Sequence, residues 1–321
     1  MKKSLLFILL AIVLVIAAAC SGEDSQEEVQ HTDVSSAKEE VEETSAAIEV
    51  KDALGETIVF DEVPASVAVL SAGDLDILHK LQANIIGRPT INGPVDPEVE
   101  NMTEIGNPHQ PNFEKIAEIN PAVLIAPLSF QQYAENVEQQ GTKIVYTKAN
   151  SIEDIVNSID MYGKIFGKER EAEEIIREIQ DGIAAVEQAE PVNTLLVYGA
   201  PGSYLAALPN SLAGDLLEKA GGENIASDFP KEENYPQYAS LSVEKIIERN
   251  PEMVMLITHG DPEAVKDAFE KEMSENAAWK NLDAVKNGNV IVLPSHLFGT
   301  NPGTKVSEAL QVMQESLSVV K

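Results

Sequence analysis

Two distant stretches of this chain repeat one pattern. Glu114-Lys115-Ile116-Ala117-Glu118-Ile119-Asn120-Pro121 recurs as Glu244-Lys245-Ile246-Ile247-Glu248-Arg249-Asn250-Pro251. Each reads as a short amphipathic helix stopped by Asn-Pro, because a residue before proline is biased away from the helical region. Each runs on into an apolar segment, Val123-Leu124-Ile125-Ala126 in one case and Met253 to Ile257 in the other. A helix feeding a wholly apolar strand is the unit of a parallel sheet with both faces covered. Its appearance twice predicts two similar α/β lobes.

Working outward, the same alternation continues on both sides. Thr57–Phe60, Val67–Leu70, Ile85–Gly87 and Lys143–Tyr146 read as strands in the first half, and Asp74–Leu81 and Phe113–Ile119 as helices. In the second half the strands are Thr194–Tyr198, Met253–Ile257 and Asn289–Leu293. The helices there are Ser211–Ala220, Val243–Glu248, Pro262–Glu272 and Thr304–Val319. Between the halves the rhythm breaks: Ser151 to Ala189 is helical almost throughout, with Gly163 and Gly167 expected to interrupt it. Its second piece, Lys168–Gln188, keeps Ala172, Ile175, Ile176, Ile179, Ile183 and Val186 at helical spacing. At 1.5 Å per residue that piece predicts a rod of about 30 Å. The division expected is 50–150 for the first lobe, 151–190 for the bridging helices and 191–321 for the second lobe.

The N-terminus is of another kind. Lys2 and Lys3 precede the apolar run Leu5 to Ala19, and small residues lead to Cys20, the single cysteine. A basic start, about 15 apolar residues and small residues before a cut read as a secretory signal, 1–19. Ala17-Ala18-Ala19-Cys20 resembles the bacterial lipobox, in which the cysteine is acylated. The pattern prefers Leu where this chain has Ala17. The expectation is therefore a lipid anchor on Cys20 at the outer face of the cell membrane. Residues 21–49 hold ten acids, one lysine and no aromatic residue, a composition that cannot bury enough apolar surface to fold. Segment 20–49 is read as an acidic tether.

The 321 residues carry 53 acids against 23 bases, a formal charge of -30. That disfavours nucleic acid, whose phosphates need clustered Lys and Arg. No Ser/His/Asp motif, phosphate loop or paired carboxylates stand out, so an enzyme is not expected.

Ligands of open parallel sheets sit beyond the carboxyl ends of the strands. His31 lies in the tether and His79 on a helix, but three histidines follow this rule. His109 lies in the loop Gly106-Asn107-Pro108-His109-Gln110-Pro111 before a helix. His259 follows the strand ending Ile257-Thr258, and His296 follows the strand ending at Leu293. Imidazole suits zinc, copper and iron, including haem iron. No His/Cys/Asp cluster has zinc spacing, whereas haem needs only one nitrogen from each side. Arg88, Gly202 with Ser203 and Tyr204, and Phe298 are candidate pocket residues, and helix starts near Ser71 to Asp74 are candidate propionate sites.

At these residues the chain resembles a known family. Residues 50–321 resemble the class III substrate-binding lipoproteins of ABC importers for iron-siderophores, cobalamin and haem. They are most similar to the Isd-type haem-receptor lipoprotein of Gram-positive bacteria. The likeness rests on Glu104 to Asn112, Gly199-Ala200-Pro201-Gly202-Ser203-Tyr204-Leu205, Gly214-Asp215-Leu216-Leu217, Ala220-Gly221-Gly222-Glu223-Asn224 and His259 through Lys280. It implies two Rossmann-like lobes with mainly parallel sheets joined by a single long helix. It also implies haem b as transported ligand, an ABC permease and its ATPase as partners, a cell-wall haem carrier as donor, and a monomer. In that receptor one lobe supplies an axial methionine and the other a histidine. His259 matches the histidine, and His109 falls where the methionine stands, so the resemblance implies bis-histidine ligation and a lower haem potential. His296 is the reserve ligand, and a ferric siderophore or corrinoid is the alternative cargo. Asp76 and Asp215 match the acids with which the family docks on its permease.

Overall fold

The computed structural model describes residues 47–91, 95–200, 203–258, 262–275 and 277–320. The signal segment, Cys20 and most of the tether lie outside the described residues. No helix among the described residues is long and apolar enough to cross a membrane.

The described chain opens on an antiparallel hairpin of β1 (Ile48–Lys51) and β2 (Thr57–Phe60), with Ile48 opposite Phe60 and Lys51 opposite Thr57. Pairing therefore begins inside the segment assigned to the tether. The cause is burial: Val50 and Phe60 are 6% and 4% exposed and join the main core.

The first lobe then runs through β3 (Val67–Val69), α1 (Ala72–Lys80), β4 (Ile85–Arg88) and α2 (Pro97–Glu100). It continues with β5 (Thr103–Glu104), the two-residue strands β6 (Gly106–Asn107) and β7 (Gln110–Pro111), and α3 (Phe113–Ile119). It closes with β8 (Val123–Pro127), α4 (Glu135–Glu138) and β9 (Lys143–Thr147). The sheet order is β5-β4-β3-β8-β9, parallel throughout. Parallel neighbours require crossovers, which is what the amphipathic helices between apolar strands provide. β6 and β7 form a separate hairpin.

Two bridging helices follow, α5 (Ile152–Phe166) and α6 (Glu169–Ala184). They part at Gly167, whose left-handed backbone closes α5. Gly163 does not interrupt. It lies inside α5, where a Cβ would stand 2.6 Å from the Cβ of Ala172, so its role is to let α6 cross closely. The 16 residues of α6 span about 24 Å, shorter than the expected rod, since Ala185 onward leaves the helix.

The second lobe comprises β10 (Asn193–Ala200), β11 (Ser203–Ala207), α7 (Leu212–Lys219), β12 (Glu223–Asn224), β13 (Tyr238–Ser240) and α8 (Val243–Arg249). It goes on through β14 (Met253–Thr258), α9 (Pro262–Glu275), α10 (Ala277–Lys280), α11 (Asp283–Lys286) and β15 (Val290–Val292). It ends with α12 (Ser295–Phe298) and α13 (Val306–Leu317). The order is β13-β11-β10-β14-β15, with β12 also on β10. β10, β12, β14 and β15 are parallel, and β11 is antiparallel to both β10 and β13. The expected mainly parallel sheets are present, with β11 and β13 as further strands beyond those the sequence predicts.

One core cluster joins the lobes, taking in Leu75, Ile155, Ile175, Leu216, Met255 and Leu310. α13 packs on α6 and α7, and the 3-10 turn Gly303–Lys305 before it packs on α1. There Gly73 and Gly303 bring the two segments together: a Cβ on Gly73 would overlap Asn301, and one on Gly303 would lie 2.6 Å from Asp76 Oδ2.

Candidate functional site

The first-lobe edge is built by the β6–β7 hairpin. Thr90 N–H donates to the Gly106 carbonyl at 2.8 Å, and Asn112 N–H to the Ile105 carbonyl at 2.8 Å, which ties the hairpin to the carboxyl ends of β4 and β5. The turn is Pro108-His109. Asn107 Oδ1 accepts from the N–H of both His109 and Gln110 at 3.0 Å, a side-chain substitute for a backbone turn. The Tyr133 hydroxyl donates to the His109 carbonyl at 3.3 Å. His109 is exposed, and among the described residues its ring has no hydrogen-bond or ion-pair partner. Beside it Tyr133 meets Phe113 edge-on at 5.7 Å and Phe130 at 5.8 Å.

The second-lobe edge is the carboxyl end of β14 and β15. β14 is fully buried and ends at Thr258, whose buried hydroxyl has no partner among the described residues. His259, which follows, and Gly202 lie outside the described residues. α12 packs against β14 and carries His296, an exposed residue at the same edge. No group of three or more His, Cys, Asp or Glu among the described residues could hold a bare metal ion.

Several expected pocket residues are placed elsewhere. Arg88 is 8% exposed, and its guanidinium contacts Glu104 Oε2 at 3.3 Å and the carbonyls of Pro89 and Glu100 at 3.1 and 3.3 Å. It braces β4, β5 and α2. Phe298 is 7% exposed and belongs to the core, because it lies on the inner face of α12. Ser203 starts β11 and is exposed. Tyr204 packs its ring on Phe269 at 5.0 Å, tilted by 55°, and its hydroxyl reaches the Val265 carbonyl at 3.5 Å, so it covers α9. The start of α1 is closed to a propionate: Ser71 Oγ accepts from Asp74 N–H at 3.3 Å, and Asn301 covers Gly73.

The two acids expected at the permease surface are engaged inside the chain. Asp76 Oδ2 accepts from Thr304 N–H at 2.8 Å and its hydroxyl at 2.7 Å. Asp215 Oδ2 accepts from Ile152 N–H at 2.8 Å, at the start of α5, while Oδ1 meets Lys219 Nζ at 2.7 Å. Each ties a lobe helix to a bridging or C-terminal helix start, where a carboxylate is favoured by the helix dipole.

Sequence reasoning missed Phe113 and Tyr133. The strand-end rule could have found Tyr133, since it closes the turn Leu128–Tyr133 directly after β8. It also missed the pair Tyr198 and Tyr238, whose rings stand 4.9 Å apart on the second-lobe sheet. Burial raises both phenols above their ordinary range, so they stay neutral. A second buried group is Asp74. Burial raises its carboxyl, although the Tyr162 hydroxyl at 2.7 Å, Ser71, and Thr147 at 3.1 Å pull the other way.

The chain thus has two lobes with mainly parallel sheets, bridged by helices, and the exposed imidazoles of His109 and His296 lie beyond strand ends. The chain belongs to the periplasmic binding protein family, which matches residues 67–297, among the class III substrate-binding proteins of ABC importers. It is 30% identical over 257 residues to the high-affinity heme uptake system protein IsdE of Staphylococcus aureus, across 78% of this chain and 85% of that protein. The crystal structure of S. aureus IsdE complexed with heme matches with a TM-score of 0.69 and 28% identity, over 79% of this chain and 98% of the other. An ABC transporter substrate-binding protein from Listeria monocytogenes matches at 0.71 and 25%, over the same shares. Proteins of this class work outside the cytoplasm and pass their ligand to a membrane permease.

Proposed function

We propose that this protein is a lipid-anchored receptor that captures haem b between its lobes and delivers it to an ABC permease. The observation that carries the reading is His109: an exposed imidazole without a partner among the described residues, held on a braced turn beyond the strand ends, beside the aromatic rings of Phe113 and Tyr133. A porphyrin needs one axial donor per face and apolar or aromatic walls, and no ring of carboxylates. His259 serves as the second axial ligand, with His296 at the same edge as the reserve. Both ligands being imidazole, the bound haem has a lower potential than a histidine–methionine site. The likeness to IsdE supports the cargo. Cys20 carries the anchor and the acidic segment behind it spaces the receptor from the membrane. Asp76 and Asp215, one acid on each lobe and each only half-buried, are the acids that dock on the permease, and the charge of -30 steers that encounter more than it adds affinity. No chemistry is done on the ligand.

An absorption titration with ferric hemin tests this. The wild type should give a saturable one-to-one Soret shift to a low-spin six-coordinate spectrum, and His109→Ala and His259→Ala should each lose it or turn high-spin. Absence of a saturable shift in the wild type sinks the haem reading and turns the screen to ferric siderophores and corrinoids. An effect of His259→Ala alone moves the second ligand to His296.

A further inference from the structure

We infer that Tyr133 is a positioning residue for His109, acting through the main chain of the turn that presents the imidazole. The inference rests on the haem reading above for its functional consequence, but its geometric part stands alone. The hairpin that carries His109 has two residues in each strand, and an isolated two-stranded ribbon is marginal in water even when longer. It is outside the five-stranded sheet, so sheet pairing does not hold its tip. Below the tip, the ties run from Thr90 to Gly106 and from Asn112 to Ile105. At the tip there are two. Asn107 Oδ1 holds the N–H groups of His109 and Gln110 from within the turn. The Tyr133 hydroxyl holds the His109 carbonyl from the far side, 24 residues away in sequence.

Tyr133 suits this task. Its ring is wedged against Phe130, which is fully buried, and edge-on to Phe113 in the first turn of α3. An aromatic side chain with two rotatable bonds and a polar tip keeps its hydroxyl in place at little entropic cost. Together Asn107 and Tyr133 grip both peptide groups of His109, its N–H on one side and its C=O on the other. That restricts the direction of its Cα–Cβ bond and leaves the ring free. A ligand-bearing side chain on a marginal loop needs such support to meet a metal without first being ordered.

The experiment compares Tyr133→Phe, which keeps the ring, with wild type, His109→Ala and the double variant. In ligand-free protein, amide exchange over residues 107–112 should speed up in Tyr133→Phe while the rest of the lobe is unchanged. Loaded with ferric hemin, Tyr133→Phe should show a five-coordinate high-spin component. Its haem should also leave about 2- to 12-fold faster, the span of one net hydrogen bond. In the His109→Ala background the same change should leave the dissociation rate where it is. Unchanged exchange together with an unchanged dissociation rate overturns the inference. Equal acceleration with and without the imidazole also overturns it, since Tyr133 would then touch the haem itself. If the wild type binds no hemin, the haem reading falls, and the exchange experiment alone decides whether Tyr133 holds the turn.

Discussion

Replacing Asp76 by alanine tests how the lobes are joined. One carboxylate oxygen receives both the backbone N–H and the hydroxyl of Thr304, at 2.8 and 2.7 Å. A hydrogen bond to a charged group contributes about 1.5–3 kcal/mol, and the hydroxyl can turn to water when its acceptor is lost, whereas the backbone N–H cannot turn. The loss is therefore close to one such bond, about 2 kcal/mol. For a folded part of this size that lowers the melting temperature by about 4–8 °C. Asp76→Asn keeps a neutral acceptor and should cost roughly half as much. Thr304→Val removes the hydroxyl and spares the N–H, so a double-mutant cycle with Asp76→Ala should give a coupling of at least about 0.5 kcal/mol. Gly303→Ala approaches the joint from the other side. Its φ of 60° is strained for a side chain, and the new Cβ would stand 2.6 Å from Asp76 Oδ2 and 2.8 Å from the Gly73 carbonyl. Urea denaturation of the four single variants and of the Asp76→Ala/Thr304→Val double is the assay. Asp76→Ala within about 0.5 kcal/mol of wild type, with no coupling to Thr304, would refute the reasoning and return Asp76 to the surface as an unengaged acid.

Two further outcomes follow from the same physics. Asp74 is held above the ordinary carboxylate range chiefly by burial, so the folded state binds its proton more tightly than the unfolded chain, where the group titrates near about 3.9. Its contribution to stability therefore falls as pH rises from about 4 through the folded value. Asp74→Asn should gain on wild type between pH 4 and 7 in chemical denaturation, and a gap independent of pH would contradict this. Removing residues through Lys51 rather than through Thr44 deletes β1 and uncovers Phe60. Loss of the buried Val50 side chain alone should cost about 1.5–3 kcal/mol, seen as a melting point lower by about 3–12 °C, and equal melting points would argue that the hairpin is ornamental.

Much of the fold was legible because it is local. α3 and α8 are stopped by Asn120 and Asn250 in the left-handed conformation, each followed by proline, a punctuation written in the sequence itself. The apolar runs at β8 and β14 read as buried strands because their period leaves no solvent face. Ser71, Ser151 and Ser211 cap α1, α5 and α7 through their side chains, each a short polar group placed before apolar spacing. The strand-end rule, which needs element order alone, picks out His109 and His296 as candidates, and both are exposed.

What the sequence could not decide were matters of partnership across distance. Arg88 looked like a ligand donor until its neighbours Glu104 and the Glu100 carbonyl were seen to enclose it. Tyr204 and Phe298 had the right chemistry for a pocket, but the faces they turn, toward α9 and the core, depend on strand pairing and helix packing. Asp76 and Asp215 read as surface acids because helical spacing gives a face, and only the tertiary structure says which helix start that face meets. Tyr133 carried no motif at all; its value arises where the turn Leu128–Tyr133, the β6–β7 hairpin and the aromatic cluster converge on the His109 carbonyl. The sequence by itself determined the main strands and helices, their order and the two-lobed plan, since these follow from periodicity and capping within a few residues. The tertiary structure decided which polar side chains remain free for a ligand and which are used to hold the molecule together, because that depends on groups brought near each other from tens to hundreds of residues away.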